Sequence, residues 1–317
     1  MLISIVIPVY KSSTSLTELA QRTKRVFDGL KDYEYEIVFV NDSPFWPATR
    51  DSLAALAADD PRVTAIELTR NFGQQPATLC GIEFARGDYV VTMDDDLQHA
   101  PEDIPLLLKE ASHDVVIGRF RIKHHSFGKR VASKLKGYFD MLILGKPSSI
   151  TLSPFRLLKA QIAKFLLKRN TPHPFIPALI FAVTVDVINV DVEHHPRADG
   201  DSHYSLLRMI RLFSNLLVSN SSLLLRLVGY AGFLVAFMAF LYALLIVFRA
   251  AFLGVPVAGW PSTFTAILFF GGMTLLTLGI IGEYLIRIIA TTERRPTFYV
   301  RGVLGNRVDP ANYQERD

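Results

Sequence analysis

Three consecutive carboxylates, Asp94, Asp95 and Asp96, follow an apolar run over residues 89–93. Adjacent acids repel one another, so such a triplet is tolerated either in water or around a bound cation. The apolar run is typical of a buried strand, and ligands of open α/β sheets bind where parallel strands end. We predict that Asp94 and Asp96 hold a divalent metal, Mg²⁺ or Mn²⁺, which in turn binds a diphosphate. The alternative is a solvated acidic turn that caps the next helix.

The segments around the triplet alternate between strand and helix. Strand-like runs lie at 2–7, 36–40, 63–68, 89–93 and 115–117, and a later one lies at 185–192. Helical segments separate the first five runs, and a capping-box pattern at 15–18 predicts the start of the first helix. This alternation predicts an α/β fold with a mostly parallel sheet covered on both faces.

Polar residues collect where the first four predicted strands end. They include Pro8 and Tyr10, then Asp42, then Arg70 and Gln74, and finally the acidic triplet. Because the carboxyl ends of parallel strands meet at one edge of a sheet, we expect one shared binding site there. Ordinary solvated loops are the alternative. The glycine motifs of dinucleotide-binding and P-loop proteins are absent from the sequence, which weakens those two interpretations.

The second half of the domain is rich in groups that bind anions. Arg119 follows the fifth strand, and the loop at 193–205 contains many phosphate-capable donors. Residues 126–144 predict a basic amphipathic helix for an anionic membrane surface, although a solvated charged face has the same pattern. The net charge of +4 therefore suggests phosphate or anionic lipid as a partner. Nucleic-acid binding is not expected, because basic and aromatic residues are not interleaved.

Two long uncharged segments predict a membrane anchor. Residues 227–248 and 263–282 contain no charged side chain, and each is long enough to span a bilayer. The short connection rich in glycine and proline predicts a helical hairpin, whose second helix runs to about residue 286. Arginines flank the pair, so the positive-inside rule places both termini in the cytoplasm. The single cysteine, Cys80, fits such a reducing compartment.

The sequence thus predicts four regions. A cytoplasmic catalytic domain covers 1–200 and an interfacial region of helices covers 201–226. Two transmembrane helices lie within 227–289, and a cytoplasmic tail covers 290–317. The sequence leaves the oligomeric state open, a homo-oligomer included.

Several short motifs, taken in order, carry a resemblance to a known family. They are residues 5–10, residues 40–43, Arg70-Asn71-Phe72-Gly73-Gln74, Asp94-Asp95-Asp96-Leu97-Gln98, Phe155-Arg156, residues 195–197, residues 202–205, residues 282–285 and Arg295-Pro296. With the predicted membrane hairpin behind them, the chain resembles the polyprenyl-phosphate glycosyltransferases of glycosyltransferase family 2. That family includes dolichyl-phosphate mannose synthase and bacterial undecaprenyl-phosphate sugar transferases.

The resemblance implies a fold, a reaction and a location. The catalytic domain would have the GT-A fold, a Rossmann-like domain with a mostly parallel sheet. The reaction would transfer a sugar, with inversion, from a nucleotide-diphosphate sugar to a polyprenyl phosphate. A UDP-sugar is the family's usual donor, and undecaprenyl phosphate is the expected acceptor. The enzyme would be an integral protein of the bacterial inner membrane, with the lipid bilayer as a partner.

The resemblance also implies a role for individual residues. Donor-side contacts are expected from Pro8, Tyr10, Asp42, Arg70, Gln74 and Asp95. Asp94 and Asp96 match the two acids of the D-x-D motif and are expected to bind the metal and to take part in catalysis. The acceptor phosphate is expected to meet Arg119, Arg197, Ser202 and Tyr204, with Arg197 also counted as catalytic.

Two departures from the family pattern keep other functions open. Residues 43–46, which include Phe45 and Trp46, replace an Asp-Gly-Ser-x-Asp motif, and Pro154 replaces an Asp that is proposed as a base in some members. A phosphate monoester is mostly dianionic at pH 7, so transfer does not require that base. A catalytically inactive membrane-anchored protein that binds nucleotide sugars remains the main alternative. A processive polysaccharide synthase is less favoured, because neither Trp46 nor Trp260 lies in a Q-x-x-R-W motif.

Overall fold

The computed structural model describes residues 1–120, 147, 149–168, 174–193, 234, 260–292 and 296–305 of the 317-residue chain. The chain divides into two compact units. The first combines Met1–Tyr204 with Arg295–Asp317, and the second is Ser205–Arg294.

The described residues of the first unit form one eight-stranded sheet. Its strands are β1 (Leu2–Val9), β2 (Glu34–Asn41), β3 (Val63–Leu68), β4 (Tyr89–Thr92), β5 (Val115–Phe120), β6 (Arg156–Lys159), β7 (Val187–Val192) and β8 (Val300–Leu304). They are ordered β7-β5-β6-β4-β1-β2-β3-β8. Neighbours are parallel except for the pairs made by β6 and β8, which are antiparallel. The predicted mostly parallel sheet is confirmed.

Helices cover both faces of this sheet. They are α1 (Thr14–Asp28), α2 (Pro47–Asp59), α3 (Gln74–Phe84), α4 (Ile104–Lys109), which follows a 3₁₀ turn at Pro101–Asp103, α5 (Ala160–Leu167) and α6 (Ile176–Val183). Alternate residues of β1 point to opposite faces, so Ile5 joins the hydrophobic core under α1 and Val6 joins the core under α3. Burial on both faces explains why β1 is an uninterrupted apolar run.

Two strands and one helix were not predicted from the sequence. After Pro154 the chain first forms β6, and α5 begins only at Ala160. A short apolar run does not distinguish a strand from a helix, and here β6 is fixed by pairing with β4 and β5. Strand β8 and helix α6 were also missed. The capping-box prediction was wrong, since α1 begins at Thr14 and no side chain caps it.

The second unit contains α7 (Trp260–Thr292), which includes the predicted second hydrophobic segment. Across the part of the chain that the structure describes, no helix has the length and apolarity needed to cross a membrane. The basic helix predicted at 126–144, the interfacial region at 201–226 and, apart from Leu234, the first hydrophobic segment at 227–248 lie outside the described residues. The four-region division and the membrane hairpin stay predictions from the sequence.

Candidate functional site

The acidic triplet lies at the carboxyl end of β4, in the middle of the sheet. Asp94 follows the strand after one residue, and the turn is closed by Leu97, whose φ of 62° lies in the left-handed region. The adjacent parallel strand, β1, ends at the same edge and brings Tyr10 alongside. The backbone N–H of Tyr10 donates a hydrogen bond to Oδ2 of Asp95 at 3.2 Å. The prediction that these acids follow a strand is confirmed.

Asp94 is the acid whose charge is least favoured. Desolvation, followed by the charges of Asp96 and Asp95, raises the pKa of Asp94 to about 7. The charge of Arg156 and a hydrogen bond from Gln74 oppose this rise. That bond runs from Nε2 of Gln74, at the start of α3, to Oδ1 of Asp94 over 2.5 Å. A cation at this carboxylate would relieve the repulsion that now favours protonation.

Asp95 is directed toward the loop after β1. Burial raises the pKa of Asp95, and hydrogen bonds from the Ser12 side chain and the Tyr10 backbone counteract that rise. The Asp95 carboxylate thus links β4 to the start of the β1–α1 connection. This arrangement fits the expectation that Asp95 is the variable middle position of the motif, and metal binding by Asp94 and Asp96 stays a prediction.

Asp42 organises the loop that precedes α3. Its carboxylate accepts hydrogen bonds from the backbone N–H of Phe72 at 2.7 Å, from the N–H of Gly73 at 2.8 Å and from Nδ2 of Asn71 at 3.0 Å. Burial raises the pKa of Asp42, and the two backbone hydrogen bonds oppose that rise. Both carboxylate oxygens therefore bind this chain, and a nucleoside contact by Asp42 stays a prediction.

The other predicted donor residues lie at the same edge of the sheet. Tyr10 is 53% exposed and Arg70 is exposed, with its guanidinium carbon 4.2 Å from the centroid of the Phe72 ring. Pro8 and Gln74 line a small cavity of about 10 Å³ beside Asp94. The structure thus brings all six predicted donor residues to the ends of β1 to β4. Their contacts with a donor remain predictions.

Arg156 is a site residue to which the sequence analysis gave no role. It pairs in register with Thr92 across β4 and β6, lines the same cavity and is 4% exposed. Burial lowers the pKa of Arg156 to about 10, and the charge of Asp94 opposes this change. Its Nε donates to the backbone oxygen of Ser153. The Phe155-Arg156 motif was visible in the sequence, but only the antiparallel strand β6 places this positive charge beneath the acids.

Pro154, at the position of the base found in some family members, is held by its neighbours. The Thr92 hydroxyl donates to the backbone oxygen of Pro154 at 2.6 Å. Next to it, the Ser153 hydroxyl is hydrogen-bonded to Nε2 of His99 at 3.2 Å, and the His99 ring stacks on Phe155 at a centroid distance of 5.3 Å. Pro154 lines the cavity beside Asp94, and its side chain cannot accept a proton.

The predicted acceptor residues are described only in part. Arg119 lies on β5 and its Nε donates to Oδ1 of Asp191 on β7 at 2.5 Å. Both side chains are partly exposed, and a phosphate contact by Arg119 stays a prediction. Arg197, Ser202 and Tyr204 lie outside the described residues.

The acids fit a divalent cation that is shared with a ligand. In the described ranges, no group of three or more His, Cys, Asp or Glu side chains is arranged as a complete metal site. Mg²⁺ commonly takes one or two carboxylates from the protein and completes its shell with water and substrate phosphates. Asp94 and Asp96 offer that kind of incomplete set, and the charges of Asp96 and Asp95, after desolvation, contribute to the raised pKa of Asp94.

Comparison with known proteins assigns the chain to a family. The sequence model of Glycosyl transferase family 2 matches residues 4–167, half of the chain, from β1 through the acidic triplet to α5. The chain belongs to glycosyltransferase family 2. It is therefore a glycosyltransferase, and its sheet is the GT-A-like α/β fold with mostly parallel strands. The family predicted from the sequence motifs is confirmed.

Curated relatives of this glycosyltransferase match it over almost its whole length. An undecaprenyl-phosphate 4-deoxy-4-formamido-L-arabinose transferase from Proteus mirabilis is 34% identical over 317 residues, which is 99% of this chain and 97% of the relative. A transferase of the same name from Pseudomonas fluorescens is 36% identical over 311 residues, covering 95% of this chain and 90% of the relative.

Solved structures match this glycosyltransferase more weakly. A mannosyltransferase from Pyrobaculum calidifontis, solved with GDP-mannose and Mn²⁺, is 16% identical with a TM-score of 0.45. The match covers 91% of this chain and 86% of that structure. This likeness is too distant to place a ligand in the present site.

Proposed function

We propose that this glycosyltransferase moves a sugar from a nucleotide-diphosphate sugar to a polyprenyl phosphate. A UDP-sugar is the first donor to test, and undecaprenyl phosphate is the first acceptor. One observation carries the proposal: an acid pair suited to a diphosphate-bound cation ends β4 in a chain that is similar, along its whole length, to transferases named for undecaprenyl phosphate.

On the donor side, Asp94 and Asp96 would hold Mg²⁺ or Mn²⁺. The ion would neutralise charge on the departing nucleoside diphosphate as a Lewis acid. Gln74 fixes one oxygen of Asp94, and Arg156 places a buried positive charge near the same carboxylate. Pro8, Tyr10 and Arg70 would contact the nucleoside, because they lie on the side of the triplet where β1, β2 and β3 end.

On the acceptor side, arginines would hold the lipid phosphate. Arg119 is the described candidate, and Arg197, Ser202 and Tyr204 are proposed from the sequence. With a second pKa of about 6, the phosphate is mostly dianionic at pH 7 and can attack the sugar without a protein base. Its oxygen forms the new bond to C1 while the bond from C1 to the diphosphate oxygen breaks, and the electron pair leaves with the nucleoside diphosphate. A single displacement of this kind inverts the anomeric centre.

We further propose that the membrane hairpin at 227–248 and 263–286 keeps this site near the headgroup of its acceptor. Support comes from the two uncharged runs in the sequence and from the arginines that flank them. The enzyme would then lie in the bacterial inner membrane with its catalytic domain and both termini in the cytoplasm.

The test is a donor screen with the full-length protein in lipid, undecaprenyl phosphate and Mg²⁺ or Mn²⁺. Mass spectrometry of the lipid fraction should find undecaprenyl phosphate plus one sugar with a single donor class. The Asp96→Asn variant, which keeps the side-chain volume and loses the charge, should give no product. Nucleotide-sugar binding without any glycolipid would instead favour the catalytically inactive alternative.

A further inference from the structure

Two large aromatic side chains lie exposed on the loop after β2. Phe45 is 77% exposed and Trp46 is 45% exposed, and Tyr10 at the end of β1 adds a third exposed ring. These rings lie at the edge of the sheet where β1 and β2 end, the edge that also carries the acidic triplet. Grouped exposed aromatics of this kind mark binding sites more often than isolated ones do.

A cationic side chain lies near each of these three rings. Nζ of Lys11 lies 5.2 Å from the centroids of both Tyr10 and Trp46. The guanidinium carbon of Arg301, at the start of β8, lies 5.1 Å from the centroid of Phe45. Both arrangements have the geometry of cation–π contacts, in which the face of the ring attracts the cation.

Arg301 is itself fixed against β3. One of its terminal nitrogens, Nη2, donates to the backbone oxygen of Thr69 at 3.0 Å, and the other lies 3.8 Å from the Glu67 carboxylate. The N–H of Thr69 in turn donates to the backbone oxygen of Tyr299 at 2.9 Å. Strand β8 therefore delivers a preorganised guanidinium to the aromatic loop, although it is far from that loop in sequence.

Two consecutive backbone N–H groups connect the aromatic loop to the acidic triplet. The N–H of Tyr10 donates a hydrogen bond to the Asp95 carboxylate, and the N–H of Lys11 donates one to the Ser43 hydroxyl at 2.9 Å. Lys11 has a φ of 59°, in the left-handed region that non-glycine residues rarely adopt. Strain of this kind persists where surrounding contacts hold it, and it is frequent at binding sites.

We propose that Phe45 and Trp46, flanked by Lys11 and Arg301, form a stacking subsite for the nucleobase of the donor. This inference rests on the proposed function. Asp42, which is expected to contact the nucleoside, has both carboxylate oxygens hydrogen-bonded to residues 71–73. The aromatic pair occupies the loop in which the family's usual Asp-Gly-Ser-x-Asp motif is missing, so stacking replaces part of the polar recognition.

The first experiment uses Trp46 as the reporter. The chain has two tryptophans, so the Trp260→Phe background leaves Trp46 as the single one in the full-length protein. Titration with UDP and with GDP, in Mg²⁺, should change its fluorescence, because a base stacked on the indole quenches emission. Inorganic pyrophosphate has no base. Added to the nucleotide-free protein, it should leave the Trp46 emission unchanged, even at concentrations that compete with the nucleotide in a separate binding assay. Nucleotide binding measured calorimetrically without any fluorescence change would overturn the proposal.

The second experiment compares matched substitutions at the two rings. Phe45→Leu and Trp46→Leu remove the π face, and we expect the Kd of the bound nucleoside diphosphate to rise about 5- to 150-fold, the range for loss of base stacking. Phe45→Tyr and Trp46→Phe keep a ring and should stay near wild type, and all four variants should bind pyrophosphate unchanged.

The results separate the two levels of the proposal. Unchanged nucleotide affinity in both leucine variants, in a protein that still makes glycolipid, would refute the stacking subsite and leave the proposed function intact. No nucleotide binding by the wild-type protein at all would refute both.

Discussion

The side-chain amide of Gln74 donates a 2.5 Å hydrogen bond to the carboxylate of Asp94. Gln74 is the first residue of α3 and Asp94 follows β4, so this bond connects the two elements on either side of the site. Desolvation and the charges of Asp96 and Asp95 oppose ionisation of Asp94, and this bond favours it. Gln74 is therefore expected to prepare Asp94 for a cation.

Removing that bond should weaken metal binding before it affects folding. We expect Gln74→Ala to raise the Mg²⁺ concentration for half-maximal transfer about 10- to 150-fold, since hydrogen bonds to charged groups contribute roughly 1.5–3 kcal/mol. Gln75→Ala is the matched control, because its Oε1 accepts from the N–H of Ile176 and supports α6 instead. Identical Mg²⁺ dependence in the wild type and Gln74→Ala would contradict this role.

The pKa of Asp94 predicts an unusual pH dependence of stability. An unfolded aspartate titrates near 3.9, whereas burial and the neighbouring acids raise the pKa of Asp94 to about 7. Between these values the folded state binds more protons than the unfolded state, so the contribution of Asp94 to stability falls as pH rises from about 4 to about 7. In EDTA, Asp94→Asn should therefore raise Tm more at pH 8 than at pH 5. In Mg²⁺, the same variant should abolish transfer. If Asp94→Asn changes Tm at pH 8 by the same amount as at pH 5, or lowers Tm at pH 8, the ionised carboxylate of Asp94 does not destabilise the fold.

Asp42 is expected to hold the 71–73 loop. In Asp42→Asn, an NH₂ group replaces one of the oxygens that now accept the N–H groups of Phe72 and Gly73, which should cost about 1–3 kcal/mol. Urea unfolding measures that cost, and faster hydrogen exchange at the two amides locates it. Asn71→Ala removes one side-chain hydrogen bond from the same carboxylate and one from the Asp42 backbone oxygen, leaves both backbone N–H groups paired, and should have the smaller effect. Unchanged exchange at Phe72 and Gly73 would contradict this assignment.

Glu36 is expected to support the fold without entering the chemistry. Glu36 is 1% exposed, and its carboxylate accepts a hydrogen bond from the Ser4 hydroxyl at 2.7 Å. It also forms an ion pair with Arg86 at the opposite edge of the sheet. Glu36→Gln should lower the free energy of unfolding by about 2 kcal/mol through the loss of charge-assisted bonds. The exposed Glu34→Gln change is the control and should be neutral. Transfer measured well below Tm should be unaffected in both variants, and a lower kcat in Glu36→Gln would contradict a purely structural role.

The edge of the sheet that carries the candidate site could be predicted from the sequence, because its signals are local. Asp94 and Asp96 directly follow an apolar run, and strand alternation alone places that run in a parallel sheet. Residues that are placed by the pairing of strands far apart in sequence gave no such local signal. Arg156 reaches the acids only because β6 pairs antiparallel with β4, and Arg301 reaches Phe45 only because β8 pairs with β3. Short strands at the edge of a sheet or between two others take their structure from partners far along the chain.

Hydrogen bonds between residues far apart in sequence also changed the expected use of some residues. Asp42 has the position of a nucleoside ligand, yet its oxygens bind N–H groups some 30 residues away. Arg119 has the position of a phosphate ligand and is paired with Asp191. Neither pairing can be derived from residue type and spacing, because each depends on how a loop or a neighbouring strand is placed.

Formation of the glycolipid tests the central claim most directly. Full-length protein in lipid is incubated with undecaprenyl phosphate, Mg²⁺ and each of a set of nucleotide sugars, and the lipids are analysed by mass spectrometry. We predict undecaprenyl phosphate bearing one sugar with the wild type and none with Asp96→Asn. Failure of the wild type with every donor, or equal product from Asp96→Asn, would contradict transfer through the acid pair at the end of β4.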